Sequence, residues 1–167
     1  MINVIPATSE IHIRLAEPPD AAAIANVLYK SFAEYEPLYT QQGFAATTPG
    51  ADQILDRMRE GPVWLALSGV KVLGTVAAVL RGRSAYMRGM AVLPTSRGMR
   101  IGSRLLEYVE NWASSQGCSR VFLSTTPYLA AAIRLYETFG FRPTDEGPHD
   151  LFGTPLFTME KHIVRKG

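Results

Sequence analysis

A chain of 167 residues, 47% apolar and 19% charged, suits one domain that buries roughly 70% of its unfolded surface, enough for a core without staples. A formal net charge of +2 is too small to make nucleic acid or an anionic membrane the expected partner. The single cysteine, Cys118, excludes an intrachain disulfide and a multi-cysteine metal site, and no run of about 18 apolar residues is present to span a membrane.

Residues 1–10 mix Asn3, Pro6, Thr8, Ser9 and Glu10 with a few apolar positions and read as a flexible arm without a signal-type apolar core. The cytoplasm is the expected compartment. His12-Ile13-Arg14-Leu15 reads as a first strand. Pro18-Pro19-Asp20 opens a helix, with Asp20 as its cap and Ile24, Val27, Leu28 and Phe32 on its buried face. The aromatic-rich stretch 34–50 has no clean period and reads as irregular or partly helical. A second helix carries Ile54, Leu55 and Met58 and stops by Gly61-Pro62.

The pattern then changes to strands. Residues 63–67, 70–80 and 84–93 form an antiparallel meander, with turns at Ser68-Gly69 and Gly82. A helix over 101–115 closes at Gly117, a short buried strand covers 121–124, and a last helix over 128–138 stops at Gly140. Strands follow from Phe141 and over 156–162. The strand–helix–strand unit from Met87 to Ser124 has the length of a right-handed crossover, so its two strands should be parallel. The expected fold is α+β: a mixed, mostly antiparallel sheet of six to seven strands with a parallel pair in the middle, flanked by about four helices, as one domain over 11–165.

The stretch Arg97-Gly98-Met99-Arg100-Ile101-Gly102-Ser103 carries most of the functional information. A strand ending at Pro94 feeds a glycine-containing basic loop that opens an amphipathic helix bearing Leu105, Leu106, Val109 and Trp112. Backbone N–H groups, a helix dipole and guanidinium charge then converge where a phosphate would sit. The basic residues Arg81, Arg83, Arg88, Arg97, Arg100 and Arg104 cluster locally, which suits a small anionic ligand. A Rossmann site is excluded by the missing Gly-x-Gly-x-x-Gly and a P-loop by the missing Gly-Lys-Ser/Thr. His12, His149 and His162 are too scattered to suggest a metal site, and none is expected.

Together with the run Leu135-Tyr136-Glu137-Thr138-Phe139-Gly140-Phe141 and the closing Phe157-Thr158-Met159-Glu160-Lys161, the order of elements resembles the GNAT superfamily of N-acetyltransferases over about residues 11–163. Arg97 and Gly102 match the first and last positions of its acetyl-CoA signature, Gln/Arg-x-x-Gly-x-Gly/Ala. Arg100 stands where the family usually has glycine, and Leu129 where it often has asparagine.

The resemblance implies acetyl-CoA as co-substrate. Its diphosphate would lie on the amides of Gly98, Met99, Arg100, Ile101, Gly102 and Ser103, with Arg97 or Arg100 adding a charged contact. Its pantetheine would lie along a strand edge near Ala91 and Val92, where an amide stabilises the oxyanion. It also implies Tyr136 as the group that protonates the departing thiolate. Spacing alone gives Tyr136 a second reading, as a core residue in line with Ile133 and Phe139.

The acceptor pocket falls to the segment holding Tyr35, Tyr39 and Phe44, with Tyr86 from the strand before the loop. That strand has no carboxylate. Glu34, Glu36, Asp145, Glu146 and His149 are the substitutes for a base. The expected reaction is direct attack of a primary amine, small-molecule or peptide, in a ternary complex. The alternative is a non-catalytic acyl-CoA sensor or interaction module. A homodimer is compatible with the resemblance.

Overall fold

The computed structural model describes residues 10–164. The expected arm lies outside the described residues, apart from Glu10. In chain order the elements are β1 (Ile11–Leu15), α1 (Ala21–Phe32), α2 (Gln41–Thr47), α3 (Ala51–Glu60), β2 (Val63–Ser68), β3 (Lys71–Arg81), β4 (Ser84–Val92), α4 (Ile101–Ser115), β5 (Arg120–Thr125), α5 (Ala130–Phe139), β6 (Arg142–Pro143), β7 (His149–Leu151) and β8 (Thr154–His162).

The strands form one mixed sheet in the order β1-β2-β3-β4-β5-β8-β6, with β7 paired to β8. Every pairing is antiparallel except β4 with β5. The strand expected from Phe141 is the short β6, and the three-residue β7 brings the sheet to eight strands, above the expected six or seven. Segment 34–50 contributes α2, so five α-helices rather than four are found among the described residues. β7 escapes a sequence reading because three residues after Gly147-Pro148 are too few to show a period.

The core follows from the patterning. β2 is buried along both faces, so helices must cover the sheet on both sides. Trp64 of β2 meets Trp112 of α4 edge-on at 5.9 Å, which sets α4 on one face. α1 packs on β3 and β4 and against α3, burying Ile24, Val27 and Leu28. Cys118 is fully buried at the start of β5, where burial pushes its thiol pKa up.

Asp20 occupies the expected N-cap position of α1, but its side chain makes no cap bond to that helix. It ends a single 3-10 turn, and its carboxylate accepts the Glu17 N–H at 2.8 Å and the Arg14 guanidinium at 2.8 Å. Two prolines at 18 and 19 favour that tighter turn before α1 begins.

Two features of β4 position the site. Its parallel pairing with β5 covers only Ser84–Tyr86 against Arg120–Phe122. From Met87 onward the two strands separate and leave the β4 edge open. A bulge lies in the separated part: Gly89 and Met90 together stand opposite Val76 of β3. Gly89 has φ +60°, the left-handed conformation such a bulge demands.

Candidate active site

The opening between β4 and β5 holds two cavities. The first, of about 420 Å³, is bounded by the end of β4, the loop 96–103, α1 and α5. Ala91, Val92, Arg97, Gly98, Arg100, Ile101, Gly102 and Ser103 all line it. Met99 does not, and its side chain is exposed.

The loop is built for an anion. α4 begins at Ile101, and the amide of Arg104 is the first to find a helical acceptor, Arg100 O at 3.2 Å. The N–H groups of residues 98–103 have no protein acceptor among the described residues. A run of open amides at a helix start attracts negative charge.

Arg100 shows how the loop tolerates its missing glycine. It adopts φ +60°, ψ +20°, the left-handed conformation that favours glycine. Gly102 serves packing instead: a Cβ there would lie 2.6 Å from Leu135 Cδ2, so its absence lets α5 close on α4.

The arginines divide in a way their spacing does not reveal. Arg97 Nη2 pairs with Glu34 at 2.6 Å. Arg104 turns away and donates to Ile11 O at 2.7 Å, which ties α4 to β1. Arg100 has no ion pair among the described residues.

Strand alternation separates Ala91 from Val92. The Ala91 carbonyl points toward β3, 3.1 Å from where a Gly74 Cβ would be, and Leu93 N–H bonds Leu73 O on the same side. The intervening Val92 therefore turns its N–H and C=O into the opening. Ser31 Oγ, 3.1 Å away, donates to the Val92 carbonyl and leaves the N–H. Val92, rather than Ala91, offers an amide to a ligand.

The second cavity, of about 320 Å³, lies among α1, α3, β4, β5 and β8. Tyr39 and Tyr86 line it, as expected. Tyr35 instead lines the first cavity. Phe44 lines neither: it is buried, edge-on to Tyr29 and Tyr39 with both ring centroids at 6.1 Å. Tyr86 packs on Phe122 at 5.2 Å, so it is both a sheet aromatic and a wall. Arg57, Arg88, Thr125 and Thr126 belong to this cavity and are not among the residues the motifs single out, although Arg88 is one of the clustered arginines.

Four residues, Phe32, Met90, Leu129 and Tyr136, border both cavities. Tyr136 is 7% exposed: it packs on Phe141 at 5.9 Å within the core, as its spacing suggests, and it also borders both cavities. Its hydroxyl has no protein hydrogen-bond partner among the described residues. Burial, with the Tyr39 phenol nearby, pushes its pKa far up, so it stays protonated. Burial likewise raises Tyr39, with the Thr126 and Thr47 hydroxyls pulling the other way.

None of the five candidate bases lines either cavity. Glu34 and Glu146 are held in ion pairs, with Arg97 and Arg120. Neither lining contains a histidine, a cysteine or a carboxylate.

The comparisons with known proteins agree with this geometry. The sequence model of the acetyltransferase (GNAT) family matches residues 25–141. The chain belongs to that family. It is an acyltransferase, and the sensor alternative is not favoured.

An IAA acetyltransferase of Azospirillum brasilense is 40% identical over 54% of this chain and 59% of its own length, so that match spans under two thirds of the relative. A thialysine N-epsilon-acetyltransferase of Sus scrofa is 27% identical over 95% of this chain and 97% of its own. Among solved structures, the PaiA N-acetyltransferase of Thermoplasma acidophilum in complex with coenzyme A superposes with a TM-score of 0.78 at 18% identity, over 92% of this chain and 99% of that one. At that identity the likeness is one of fold.

Proposed function

We propose that this acetyltransferase moves the acetyl group of acetyl-CoA to a primary amine by direct attack while both substrates are bound. The observation that carries the reading is the common wall of the two cavities: a donor in one and an acceptor in the other meet at Met90, Leu129 and Tyr136.

The residues of the first cavity fit the donor. The open amides of 98–103 donate to its diphosphate, each charge-assisted bond contributing about 1.5–3 kcal/mol when well formed. Its amide-bearing arm runs along the unpaired edge of β4. The Val92 N–H faces the opening and is the donor available to the thioester oxygen as negative charge gathers there. The amine nitrogen forms a bond to the carbonyl carbon, the carbon–sulfur bond breaks, and the sulfur departs as thiolate.

Tyr136 donates a hydrogen bond to that sulfur. Because its phenol is less acidic than a thiol of pKa about 8.5, full proton transfer is uphill, and stabilising the thiolate is its larger contribution. The amine's proton leaves through water, since neither lining offers a base. No cysteine lines either cavity to carry the acyl group, and Cys118 is buried elsewhere, which favours one-step transfer.

The test is thiol release from acetyl-CoA with a set of primary amines, followed by initial rates at varied concentrations of both substrates. Intersecting double-reciprocal lines are expected. Parallel lines, the pattern of an acyl-enzyme intermediate, would overturn the ternary complex.

A further inference from the structure

We propose that the acceptor taken by the second cavity is an amine that also carries a carboxylate or phosphate group, and that this anion is held by Arg57 beside Arg88. The proposal rests on the acyl-transfer reading above and names its substrate class.

Arg57 and Arg88 are the two charged side chains that line the cavity, and no carboxylate lines it. They are not equivalent. Arg88 Nη2 pairs with Glu60 at 2.5 Å, on a side where Glu60 is half exposed. Its Nε is buried and has no partner among the described residues. Arg57 has neither an ion pair nor a hydrogen bond among the described residues, although it is partly buried. One carboxylate, Glu60, thus stands against two guanidinium groups. Burial and the neighbouring Arg88 both act against the Arg57 charge, yet a guanidinium does not give up its proton in a protein. Such a cation is completed by an anion from outside.

The backbone makes room for this arrangement. Arg57 reaches from the last turn of α3 over the β4 bulge, and its Nη1 lies 2.9 Å from where a Cβ on Gly89 would stand. Glycine at the bulge therefore serves the φ of +60° and the seat of the guanidinium at once. The next residue, Met90, belongs to the wall shared with the donor cavity. Anion seat and transfer point are neighbours in the chain, which suits a short acceptor. The buried Thr126 hydroxyl in the same lining is a further group without a partner of hydrogen-bonding geometry. A polyamine would bring a second ammonium into a cavity that offers it two cations and no carboxylate. The guanidinium fork matches either oxyanion, carboxylate or phosphate.

The experiment measures thiol release from acetyl-CoA by the intact chain with four matched sets: amino acids, aminoalkyl phosphates, neutral carboxamide counterparts of the amino acids, and polyamines. The anionic amines are expected to show kcat/KM at least tenfold above their neutral counterparts. The better of the two anionic sets identifies the oxyanion. In Arg57→Gln that preference is expected to narrow tenfold or more, and Arg57→Lys to restore part of it.

Neutral amines or polyamines used as well as anionic ones would overturn the proposal, and the wild-type panel decides this even if a variant fails to fold. A preference unchanged in folded Arg57→Gln would also overturn it. If no amine in any set releases thiol, acetyl transfer to amines falls, and this inference falls with it.

Discussion

Two side chains carry predictions at the residue scale. Tyr136 touches both cavities with an unpartnered hydroxyl, yet its ring belongs to the core. Tyr136→Phe keeps the ring and removes the hydrogen bond to the leaving sulfur, so kcat should fall roughly 10²-fold or more with the melting temperature little changed. Steady-state kinetics beside thermal unfolding separate the two roles: an unaltered kcat would leave Tyr136 a packing residue. Arg100 holds a conformation that costs a non-glycine residue roughly 1–2 kcal/mol. Arg100→Gly relieves this but gives the unfolded chain more freedom, so a net gain of about 0.5–1 kcal/mol is expected without ligand. Denaturant unfolding measures it. The same variant loses a cation at the donor cavity, so stability and acetyl-CoA affinity should move in opposite directions.

At the scale of elements, the sheet must be held firmly at one end to stay open at the other. Arg120 of β5 does much of this. Its Nε donates to Ser84 Oγ on β4 at 2.9 Å, its Nη1 meets Glu160 of β8 at 2.6 Å and Glu146 at 2.7 Å, and its guanidinium lies over the Phe122 ring at 4.7 Å. Arg120→Met leaves Glu160 with only His162, 3.2 Å away, as a partner and should cost about 1–2 kcal/mol in denaturant unfolding.

The pairing also predicts a pH dependence. The Arg120 hydrogen bond holds the Glu160 carboxyl below its usual range, and Arg14 does the same for Asp20. A carboxylate with a lowered folded pKa adds stability that is fully present above its unfolded pKa, about 4, and is lost as pH falls through the folded value. Stability should therefore decline below about pH 4.5, and the Glu160 share of that decline should shrink in Arg120→Met, where His162 is the remaining partner. Unfolding curves taken at several pH values check this.

For the molecule as a whole, a ligand that binds only the folded state stabilises it by mass action. Acetyl-CoA at one hundred times its dissociation constant should contribute about 2.7 kcal/mol, raising the melting temperature by several degrees. A flat thermal titration would remove the donor from the first cavity.

The wall of the first cavity was legible in the chain because it is local. A strand, a basic loop and a helix sit within about twenty consecutive residues. The second cavity was not. Arg57, Arg88, Thr125 and Leu156 lie on four different elements and meet only because the sheet order sets β4 beside β5 and β5 beside β8. Neighbouring aromatics also separated: Tyr35 lines the first cavity, Tyr39 the second, and Phe44 packs into the interior. The arginine cluster misled where charge found a protein partner, as Arg104 did at Ile11 O.

The partition that Met90, Leu129, Phe32 and Tyr136 place between the two chambers is a single layer of side chains. A covalent conjugate, with the sulfur of coenzyme A joined through a short carbon bridge to the acceptor's nitrogen, would thread that layer and occupy both chambers. Once one half is seated, docking of the other becomes intramolecular, so the conjugate would exceed either parent's affinity by about 10²–10⁴ if the bridge matches the span. The bridge length that binds best would then measure, in solution, how far apart this fold holds the two reactants.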